Sequence, residues 1–563
     1  MGAVTSACKV LLVAPRFNGQ SFWNFTAACE LYGARFPAAP LGLITVAALL
    51  PPAWECRLLD RNAEDLTDAA LDWADVVMTG GMLPQRPDAL QVIERAHAKG
   101  KVVVVGGPDV TSSPELSSAA DIRVLGEAES VMGAFVEAWN AGTRSGVFEA
   151  EKFKADVTRT PVPRFDLLKR GNYIYYGVQF SRGCPFTCEF CDIIELYGRA
   201  PRTKTTPQML AELDTLYRAG YRGHLDFVDD NFVGNKKAVK AFLPHLIAWQ
   251  KERGYPFMFS TEASINMADD DALLGLMRDA NFFTVFVGIE SPDTETLVSM
   301  QKKQNTRRSL AASVHKIYRA GMFVNAGFIL GFDSERSAVA HAMIECIEAT
   351  SIPLCMVGLL YALPNTQLTR RLANEERLFA LAYTDRMAAQ GGGDQCTSGL
   401  NFTTARPRRD ILADYRRVLE RIYDPAAYFA RVRTMVRILE RPALDRSRST
   451  DPVPRRVAGI SAYDLRMLAR LVRRLALRQP AALVHFFRTF YECVRRNPAA
   501  LRNVGILTAL FLHAGPFSRY VMASVEHQIA QIDSGKWQPG PLAERVPGKT
   551  TVISGPRVAA PTY

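Results

Sequence analysis

Residues Val178–Cys191 read VQFSRGCPFTCEFC, and they place Cys184, Cys188 and Cys191 in a C-x3-C-x2-C spacing. The apolar run that precedes them, up to Ser181, predicts a strand, so the cysteines should follow a strand end. The whole chain has 10 Cys in 563 residues, which is far too few for a disulfide-stabilised scaffold. Such a tight cysteine group therefore predicts a metal ion or a metal cluster rather than disulfides.

The number of available ligands separates a zinc ion from an iron–sulfur cluster. A structural zinc ion usually takes four Cys or His ligands, and the next such residues along the chain are the remote His224 and Cys346. Three thiolates are enough to hold a [4Fe–4S] cluster through three of its irons, which leaves the fourth iron open. We therefore predict such a cluster, with an incomplete zinc site or simple packing cysteines as the alternative.

Strand-like segments alternate with helical patterns from the cysteine loop onward. The predicted strands are Gly177–Ser181, His224–Val228, Phe257–Thr261, Phe283–Gly288, Phe323–Leu330 and Met356–Tyr361. This alternation predicts a partial (βα)6 barrel of the TIM type, in which functional groups gather at the carboxyl ends of the strands. Polar residues stand at those ends, for example in Asp229-Asp230-Asn231, in Ser260-Thr261-Glu262 and in Gly288-Ile289-Glu290.

The cysteine spacing, with Phe190 as the aromatic residue of C-x3-C-x-aromatic-C, resembles the signature of the radical S-adenosylmethionine (SAM) enzymes. The resemblance implies that the open iron chelates SAM and that one electron from the reduced cluster cleaves it to a 5′-deoxyadenosyl radical. In such enzymes the cofactors supply the difficult chemistry, while the protein supplies position and a dry site. We assign no catalytic side chain from the sequence.

The same resemblance implies a set of SAM-binding residues at the barrel strand ends. This set comprises Phe190, Asp230, Asn231, Glu262, Glu290, Gly327, Ile329 and Gly331. Two local motifs depart from the family pattern. Asp229-Asp230-Asn231 stands where the family usually has Gly-Gly-Glu, and Leu363-Pro364-Asn365-Thr366 has Asn in place of Gly.

The first 150 residues also alternate between apolar β-branched runs and helical patterns. The predicted strands are Lys9–Pro15, Cys56–Asp60, Asp75–Thr79, Lys101–Val105 and Ile122–Leu125. Buried strands that alternate with helices predict a parallel, doubly wound sheet whose ligand binds beyond the carboxyl ends of the strands. No G-x-G-x-x-G follows the first strand, which disfavours a dinucleotide.

A doubly wound domain before a radical SAM barrel resembles the cobalamin-binding class of that family. The implied cobalamin contacts are Pro40, Gly42, Asp60, Asn62, Thr79, Gly80, Gly106, Gly107, Thr111, Gly126 and Glu127. Asn62 stands where many cobalamin domains carry the cobalt-ligating His, so we expect no protein imidazole below the cobalt. The alternative is a domain that has lost cobalamin and only recognises substrate.

The implied reaction is methylation of an unactivated carbon. The resemblance implies hydrogen abstraction by the deoxyadenosyl radical, methyl transfer from methylcobalamin, and remethylation of cobalt by a second SAM. A methylthiotransferase is disfavoured, because Cys8, Cys29 and Cys56 are too scattered for a second cluster. Two alternatives stay open: a cobalamin radical enzyme that does not methylate, such as a cyclase, and a radical enzyme that modifies nucleic acid.

The C-terminal third is basic and helical. Beyond residue 400 the chain carries 28 Lys+Arg against 12 Asp+Glu, a net charge of +16. The whole chain has a net charge of +11, so the first 400 residues carry 11 − 16 = −5. The predicted helices are Asp410–Tyr423, Pro425–Glu440, Ala462–Arg478, Ala481–Arg496 and Pro516–Asp533. Arg-rich amphipathic helices can pack on a barrel with a solvated outer face, or they can contact an anionic membrane.

The membrane alternative bears on the substrate. It would favour a lipid such as a polycyclic isoprenoid, because cobalamin radical enzymes that methylate hopanoids resemble this overall plan. Nucleic acid is disfavoured, since the Arg faces lack interleaved aromatic residues. We expect a small-molecule or lipid substrate, a low-potential donor of the flavodoxin or ferredoxin type, and a cytoplasmic protein with possible peripheral membrane contact. Ala38–Trp54, the longest apolar stretch, contains three prolines and predicts a buried helix rather than a transmembrane one.

Together these patterns predict an α/β protein built from consecutive parts. We expect a Rossmann-like cobalamin-binding domain over residues 1–150, a linker over 151–175 and a radical SAM partial barrel over 176–385. A helical C-terminal domain should follow over 386–535, beginning with a loop at Gly391–Gly393. A loose Pro/Gly-rich tail should occupy 536–563.

Overall fold

The computed structural model describes residues 7–306, 308–380, 395–440 and 462–543. It confirms the predicted class: a doubly wound parallel sheet, a partial barrel and a helical C-terminal region. The predicted Gly391–Gly393 loop start and the part of the tail from residue 544 lie outside the described residues. Among the described helices, none combines the length and apolar character that a membrane span requires.

The N-terminal sheet has six parallel strands. They are β1 (Lys9–Ala14), β3 (Glu55–Asp60), β4 (Val76–Gly80), β5 (Val102–Gly106), β6 (Ile122–Leu125) and β7 (Gly146–Glu149). Their order across the sheet is β3-β1-β4-β5-β6-β7, so the chain reverses its winding direction between β1 and β4. The carboxyl ends at such a switch point are the usual ligand-binding edge of an open α/β sheet.

Helices cover both faces of this sheet. They are α2 (Leu41–Leu49), α3 (Asp68–Trp73), α4 (Arg86–Ala98), α5 (Pro108–Ser112) and α6 (Met132–Asn140). Ala47 of α2 and Phe135 of α6 belong to the apolar cluster on one face, while Leu71 of α3 and Val92 of α4 belong to the cluster on the other. The helix expected within Ala38–Trp54 is α2, although only part of its surface is buried.

The second sheet forms a half-barrel of seven parallel strands. They are β2 (Phe36–Ala38), β8 (Tyr173–Val178), β11 (Gly223–Phe227), β12 (Phe257–Glu262), β13 (Phe282–Glu290), β14 (Phe323–Leu330) and β15 (Cys355–Leu359). A separate antiparallel ribbon joins β9 (Ser181–Arg182) to β10 (Arg202–Thr203). The helices of this region are α7 (Ile193–Leu196), α8 (Thr206–Arg218), α9 (Lys236–Glu252), α10 (Asp271–Asp279), α11 (Thr294–Ser299), α12 (Leu310–Arg319), α13 (Val339–Thr350) and α14 (Gln367–Asn374).

The ribbon of β9 and β10 was not predicted; in the two large sheets, two strands were not predicted and a third was displaced. The three-residue strand β2 pairs with β8, so a segment of the N-terminal part completes the barrel edge. The short strand β7 extends the N-terminal sheet beside β6. The first barrel strand was predicted at Gly177–Ser181 but spans Tyr173–Val178, because Ser181 already belongs to the ribbon that flanks the cysteine loop.

The C-terminal region consists of helices. They are α15 (Gln395–Ser398), α16 (Arg408–Ile422), α17 (Pro425–Ile438), α18 (Ala462–Arg478), α19 (Leu483–Arg496) and α20 (Leu501–Asp533). The prediction that the last helix begins at Pro516 was wrong, since α20 begins at Leu501 and continues through the proline. Buried apolar residues before the proline, such as Phe511 and Leu512, stabilise this longer helix by packing.

Helix α20 ties the N-terminal segment to the barrel. It packs against α1 (Thr26–Tyr32), which follows the aromatic segment 22–25. The Phe22 ring centroid lies 6.3 Å from that of Phe517, and His513 Nε2 lies 3.1 Å from the Ser21 carbonyl oxygen. Helix α1 also contacts β2, the edge strand of the half-barrel, and its neighbour β8.

Candidate active site

The cysteine loop begins at a position that requires glycine. Gly183 has φ +94°, and a Cβ there would lie 2.9 Å from the Gly198 carbonyl oxygen and 3.1 Å from that of Tyr197. The Cys184 amide donates to the same Gly198 oxygen over 3.2 Å. The tight return of the loop therefore depends on the missing side chain.

Two neighbouring carboxylates fix the start of this loop. Asp229 accepts hydrogen bonds from the Phe180 amide at 3.0 Å and from the Ser181 amide. Asp230 accepts from the Gly183 amide at 2.8 Å. Burial raises the pKa of Asp229 to about 7 and that of Asp230 to about 6, against the opposing effect of these hydrogen bonds. Asp230, predicted to contact SAM, thus also holds the cysteine loop.

The three cysteine sulfurs lie in a partly buried environment that suits a cluster. Asn231 Nδ2 lies 3.7 Å from Cys184 Sγ, within reach of an N–H···S hydrogen bond, while Asn231 Oδ1 accepts from the Ser264 amide at 3.1 Å. Burial raises the thiol pKa of Cys184, Cys188 and Cys191. Three sulfurs on one loop, with side-chain amides directed at them, are a donor set that fits a three-thiolate cluster.

A cation and a second amide, both missed by the sequence reasoning, face the same loop. Lys302 Nζ lies 2.7 Å from Glu290 Oε1 and 5.9 Å from the centroid of the Phe190 ring. Gln304 Nε2 lies 3.8 Å from Cys188 Sγ. Both residues follow α11 and carry no recognisable motif, so only the folded geometry identifies them.

The predicted SAM-binding residues Glu262 and Glu290 occupy different surroundings. Glu262 is the last residue of β12, and its side chain reaches solvent. Desolvation by the nearby protein raises its pKa to about 8, and the negative charges of Asp226, Asp230 and Asp229 add to this shift. Glu290 is buried, has φ +65° and pairs with Lys302. A Cβ at Gly288 would overlap the Glu290 carboxylate at 2.3 Å, so this glycine leaves space for the ion pair.

The remaining predicted SAM-binding residues line the same side of the barrel. A Cβ at Gly327 would lie 3.3 Å from the Phe286 ring and 3.8 Å from Glu290 Oε2. Gly331 has φ +111°, and its amide donates to the Glu335 carboxylate at 2.9 Å. Ile329 is partly buried between these glycines, and the Phe190 ring packs 5.9 Å from that of Phe332. Asn365 adopts φ +63°, a conformation that Asn tolerates in place of the family's Gly.

A second polar network, also missed from the sequence, lies deeper along the same strands. His224 Nε2 lies 2.6 Å from Ser260 Oγ, and Ser260 donates to the Asp226 carboxylate. The Tyr175 ring centroid lies 4.8 Å from that of His224. Burial lowers the pKa of His224 to about 3, which keeps the imidazole neutral at physiological pH.

At the carboxyl ends of the strands in the N-terminal sheet, several glycines that were predicted to bind cobalamin allow neighbouring strand ends to pack closely. A Cβ at Gly80 would meet the Gly106 carbonyl oxygen at 2.3 Å, and a Cβ at Gly106 would lie 3.2 Å from the Val124 oxygen. Gly107 and Gly126 have φ +94° and +80°, which favour glycine. These glycines therefore bring β4, β5 and β6 close together at the predicted ligand edge.

Hydroxyl and amide side chains at this edge have partners within the protein. Thr79 donates to the Val13 carbonyl oxygen at 2.9 Å, and Thr111 Oγ1 accepts from the Gly126 amide at 3.0 Å. Asn62 Oδ1 accepts from the Phe17 amide at 2.7 Å, while Asn62 Nδ2 donates to Asp60 at 2.8 Å. Asn62 thus shapes the loop after β3 through its whole amide group.

Asp60, the other predicted residue of this loop, also contacts the barrel. Its Oδ2 accepts from the Tyr173 hydroxyl at 2.9 Å. Burial raises the pKa of Asp60, which the hydrogen bonds from Asn62 and Tyr173 oppose. Pro40 and Gly42 lie at the start of α2, beside the barrel strand β8. A Cβ at Gly177 of that strand would lie 3.5 Å from Leu41 Cδ2.

Glu127 lies in an ionic network between the two sheets. Its carboxylate accepts from Arg182 at 3.1 Å and from Arg202 at 2.7 Å. Arg182 also bonds Glu129 at 2.6 Å, and all these side chains are largely buried. Glu127 was predicted to contact a ligand. In the structure its carboxylate instead binds two arginines and so fixes the ribbon of β9 and β10 to the N-terminal sheet.

A small pocket lies at the ends of β4 and β5, against helix α4. Thr79, Gly80 and Gly81 line one side, and Val105 and Val110 line another. Larger side chains, among them Met82, Arg86 and Leu90, line the rest of this pocket. The strand-end glycines and Thr79, at the carboxyl ends of these parallel strands, are the residues that would hold cobalamin at this edge.

Family models match three segments of the chain. The radical SAM superfamily matches residues 178–342, the B12 binding domain matches 34–136, and a domain of unknown function (DUF4070) matches 366–527. An uncharacterized methyltransferase of Synechocystis sp. is 41% identical and covers 98% of this chain and 99% of its own length. The hopanoid C-2 methylase of Rhodopseudomonas palustris is 36% identical over 75% of this chain and 78% of its own length.

Solved structures share the fold at low identity. The radical SAM methyltransferase TsrM from Kitasatospora setae has a TM-score of 0.54 at 15% identity, over 66% of this chain and 78% of its own. The cobalamin-dependent SAM radical enzyme OxsB, with aqua-cobalamin and SAM bound, has a TM-score of 0.55 at 14% identity, over 95% and 82%. The chain belongs to the cobalamin-dependent radical SAM methyltransferases, with a [4Fe–4S] cluster, SAM and cobalamin as its cofactors.

Proposed function

We propose that the enzyme methylates a ring carbon of a polycyclic isoprenoid lipid of the hopanoid type. The observation that carries this proposal is the 36% identity to a hopanoid C-2 methylase over 75% of the chain. Bacteriochlorophyllide methyltransferases are also relatives, but at 25% identity or less. The greater similarity therefore favours the lipid over a tetrapyrrole substrate.

Aromatic packing beside the candidate SAM site supports an apolar substrate. The Trp23 ring centroid lies 5.5 Å from that of Phe286, the residue that also neighbours Gly327. Phe25 packs 5.5 Å from His513 of α20. A hydrocarbon ring system gains binding free energy from such surroundings in proportion to the apolar area that it buries.

We assign the cofactor contacts as follows. Cys184, Cys188 and Cys191 bind the cluster, Glu262 and Glu290 face SAM, and the strand ends within residues 1–150 receive cobalamin. When bound, these groups supply one-electron and methyl-transfer chemistry, with electrons from a flavodoxin or ferredoxin type of donor. The protein's own contribution is to hold the groups in fixed positions and to exclude water from the barrel.

The substrate proposal is tested with anaerobically reconstituted enzyme. The full chain, supplied with cobalamin, SAM and a strong reductant, is incubated with an unmethylated hopanoid or with a magnesium tetrapyrrole. We expect mass spectrometry to find a methylated hopanoid, together with 5′-deoxyadenosine and S-adenosylhomocysteine. Methylation of the tetrapyrrole alone would reject the lipid assignment, and deoxyadenosine without S-adenosylhomocysteine would reject methyl transfer under these conditions.

We also propose that α18 and α19 dock on an anionic membrane surface. Val484, Phe487, Tyr491 and Val494 share one face of α19 at helical spacing, and Phe487 is 51% and Tyr491 60% exposed. An exposed aromatic and aliphatic stripe of this kind is characteristic of helices that lie in the membrane interface. It would give the enzyme access to a lipid substrate.

Charge complementarity selects an anionic bilayer as the partner. Arg488 and Arg495 flank the apolar stripe, and Arg470 and Arg473 are exposed on α18. Within the described residues, neither Arg470, Arg473 nor Arg488 forms an ion pair with a carboxylate. Unpaired arginines beside exposed apolar side chains can contact lipid phosphates while the stripe enters the headgroup region.

Vesicle sedimentation tests this surface. We expect the protein to bind vesicles of phosphatidylcholine with phosphatidylglycerol, and to bind phosphatidylcholine alone much less. Phe487→Ser should reduce binding, whereas Val298→Ser, which changes a 54% exposed side chain on α11, should leave it unchanged. Equal binding by both variants and the wild type, or no binding to anionic vesicles at low salt, would exclude this docking surface.

A further inference from the structure

The segment Gln301–Asn305, between α11 and α12, contacts the cysteine loop through two side chains. We propose that Lys302 and Gln304 of this segment raise the reduction potential of the iron–sulfur cluster. This inference rests on the proposed binding of the cluster by Cys184, Cys188 and Cys191. Neither residue is assigned a contact with substrate.

Lys302 brings a positive charge to the cluster site. Its side chain is only 11% exposed, and its ammonium group pairs with Glu290 at 2.7 Å. Although burial opposes the charged form, the Glu290 carboxylate raises the pKa of Lys302 and keeps the ammonium charged. Lys302 Nζ also lies 5.9 Å from the centroid of the Phe190 ring, and Phe190 directly precedes Cys191 in the cysteine loop.

Gln304 supplies a hydrogen bond to one cysteine sulfur. Its Nε2 lies 3.8 Å from Cys188 Sγ, and its buried Oε1 has no hydrogen-bond partner among the residues that the structure describes. An amide that leaves its oxygen unpaired while its nitrogen faces a thiol indicates that the N–H···S contact fixes its orientation. Hydrogen bonds to cysteine sulfurs are among the factors that set the potential of iron–sulfur clusters.

The backbone of the segment is anchored independently of these two side chains. Asn305 Nδ2 donates to the carbonyl oxygens of Gly288 at 3.0 Å and Ile289 at 2.9 Å. The Glu189 amide, inside the cysteine loop, donates to the Met300 oxygen at 3.1 Å. Substitution of Lys302 or Gln304 therefore leaves the contacts that position the segment in place.

The direction of the effect follows from the charge change on reduction. Reduction adds one electron to the cluster, and a nearby cation and N–H dipole stabilise the more negative reduced form. Both groups therefore raise the reduction potential of the cluster, so an electron donor of less negative potential can reduce it. Removing either should shift the potential to a more negative value.

The test is a redox titration of the reconstituted full chain, without SAM, followed by electron paramagnetic resonance. We expect Lys302→Gln and Gln304→Leu to shift the midpoint potential to more negative values, and Lys302→Arg to keep it close to wild type. Lys303→Gln is the matched control, because Lys303 is exposed on the same turn and makes no ion pair within the described residues.

The possible results separate this inference from the cluster assignment. Iron and sulfide content establish whether each variant carries a full cluster. If both variants carry the full cluster at an unshifted potential, the inference is wrong while the cluster assignment stands. If Lys302→Gln assembles no cluster, Gln304→Leu, which preserves the Lys302–Glu290 pair, decides the question. A wild-type chain that assembles no reducible cluster would instead refute the assignment itself.

Discussion

At the scale of single residues, Gly183 determines whether the cysteine loop can close. Gly183→Ala would place a Cβ 2.9 Å from the Gly198 oxygen, at φ +94°. The left-handed backbone alone costs a side chain about 1–2 kcal/mol, before the overlap is added. We expect this variant to bind less iron after reconstitution and to unfold at a lower temperature, as measured by iron analysis and by circular dichroism.

The control for Gly183 is a glycine with free space around it. Gly505 lies inside α20, and apart from the backbone of that helix a Cβ there would meet no described atom within 4 Å. Gly505→Ala should therefore stabilise the helix slightly, by roughly 0.5–1 kcal/mol, and leave iron binding unchanged. Full iron incorporation by Gly183→Ala would show that the loop can close by another path.

His224 should make stability sensitive to acid. Burial lowers its pKa to about 3, below the ordinary value of 6.5. Between these two values the unfolded chain binds a proton that the folded chain does not, so stability falls as pH falls below 6.5. The largest slope from one such group is about 1.4 kcal/mol per pH unit.

The prediction for His224 is a change in that slope. His224→Gln should lose less stability than the wild type between pH 7 and pH 5, as measured by urea unfolding. His341→Gln serves as the control, because the His341 side chain is 73% exposed and lies outside the network of His224, Ser260 and Asp226. Parallel pH profiles for wild type and His224→Gln would mean that the imidazole has the same pKa in the folded and in the unfolded protein.

The sequence predicted residues that carry a motif and missed those that act through folded proximity. Cys184, Cys188 and Cys191 could be found because one short loop supplies all three. Lys302 and Gln304 come from the connection after α11, and nothing in their local sequence indicates that it returns to the cysteine loop. Glu127 was predicted at a strand end, but its buried partners Arg182 and Arg202 could not be foreseen from sequence.

At the scale of elements, strands that are buried on both faces were the most predictable. β14 was predicted at its observed limits, Phe323–Leu330. Its largely apolar run between two helical patterns is typical of a strand that is buried on both faces of a parallel sheet. The three-residue β2 has too few residues for any period, and its pairing with β8 is a tertiary event. The start of α20 was predicted at Pro516 because proline is more common at the first position of a helix than in its interior.

Pro516 also leads to a prediction about α20. A proline inside a helix removes one backbone hydrogen bond and costs about 3 kcal/mol relative to alanine. Pro516→Ala should therefore raise the free energy of unfolding and the melting temperature, as measured by calorimetry. Pro498→Ala, at the first turn of a short helix where proline is tolerated, should change stability little. A lower melting temperature for Pro516→Ala would mean that α20 requires a bend at this position.

At the scale of the whole molecule, the cysteine loop is held between the two sheets. The ribbon of β9 and β10 supplies Arg182 and Arg202, and the N-terminal sheet supplies Glu127 and Glu129. A second contact joins Asn365, after the last barrel strand, to the Ser112 carbonyl oxygen at 2.6 Å. The buried Arg–Glu pairs, which are directional, and the exposed Asn365 contact therefore fix the relative position of the two sheets.

Removing a carboxylate that the N-terminal sheet contributes to this network should lower the free energy of unfolding. Glu129→Gln removes the carboxylate that Arg182 approaches at 2.6 Å, and both side chains are about nine-tenths buried. Loss of one partner from a buried pair typically costs 3–5 kcal/mol, and we expect about 3 kcal/mol because Glu127 still contacts Arg182. Urea unfolding should measure this loss. Glu64→Gln, which breaks the more exposed pair with Lys169, should cost about 0–1 kcal/mol. Equal losses in the two variants would show that the inter-sheet network contributes no more than a surface ion pair.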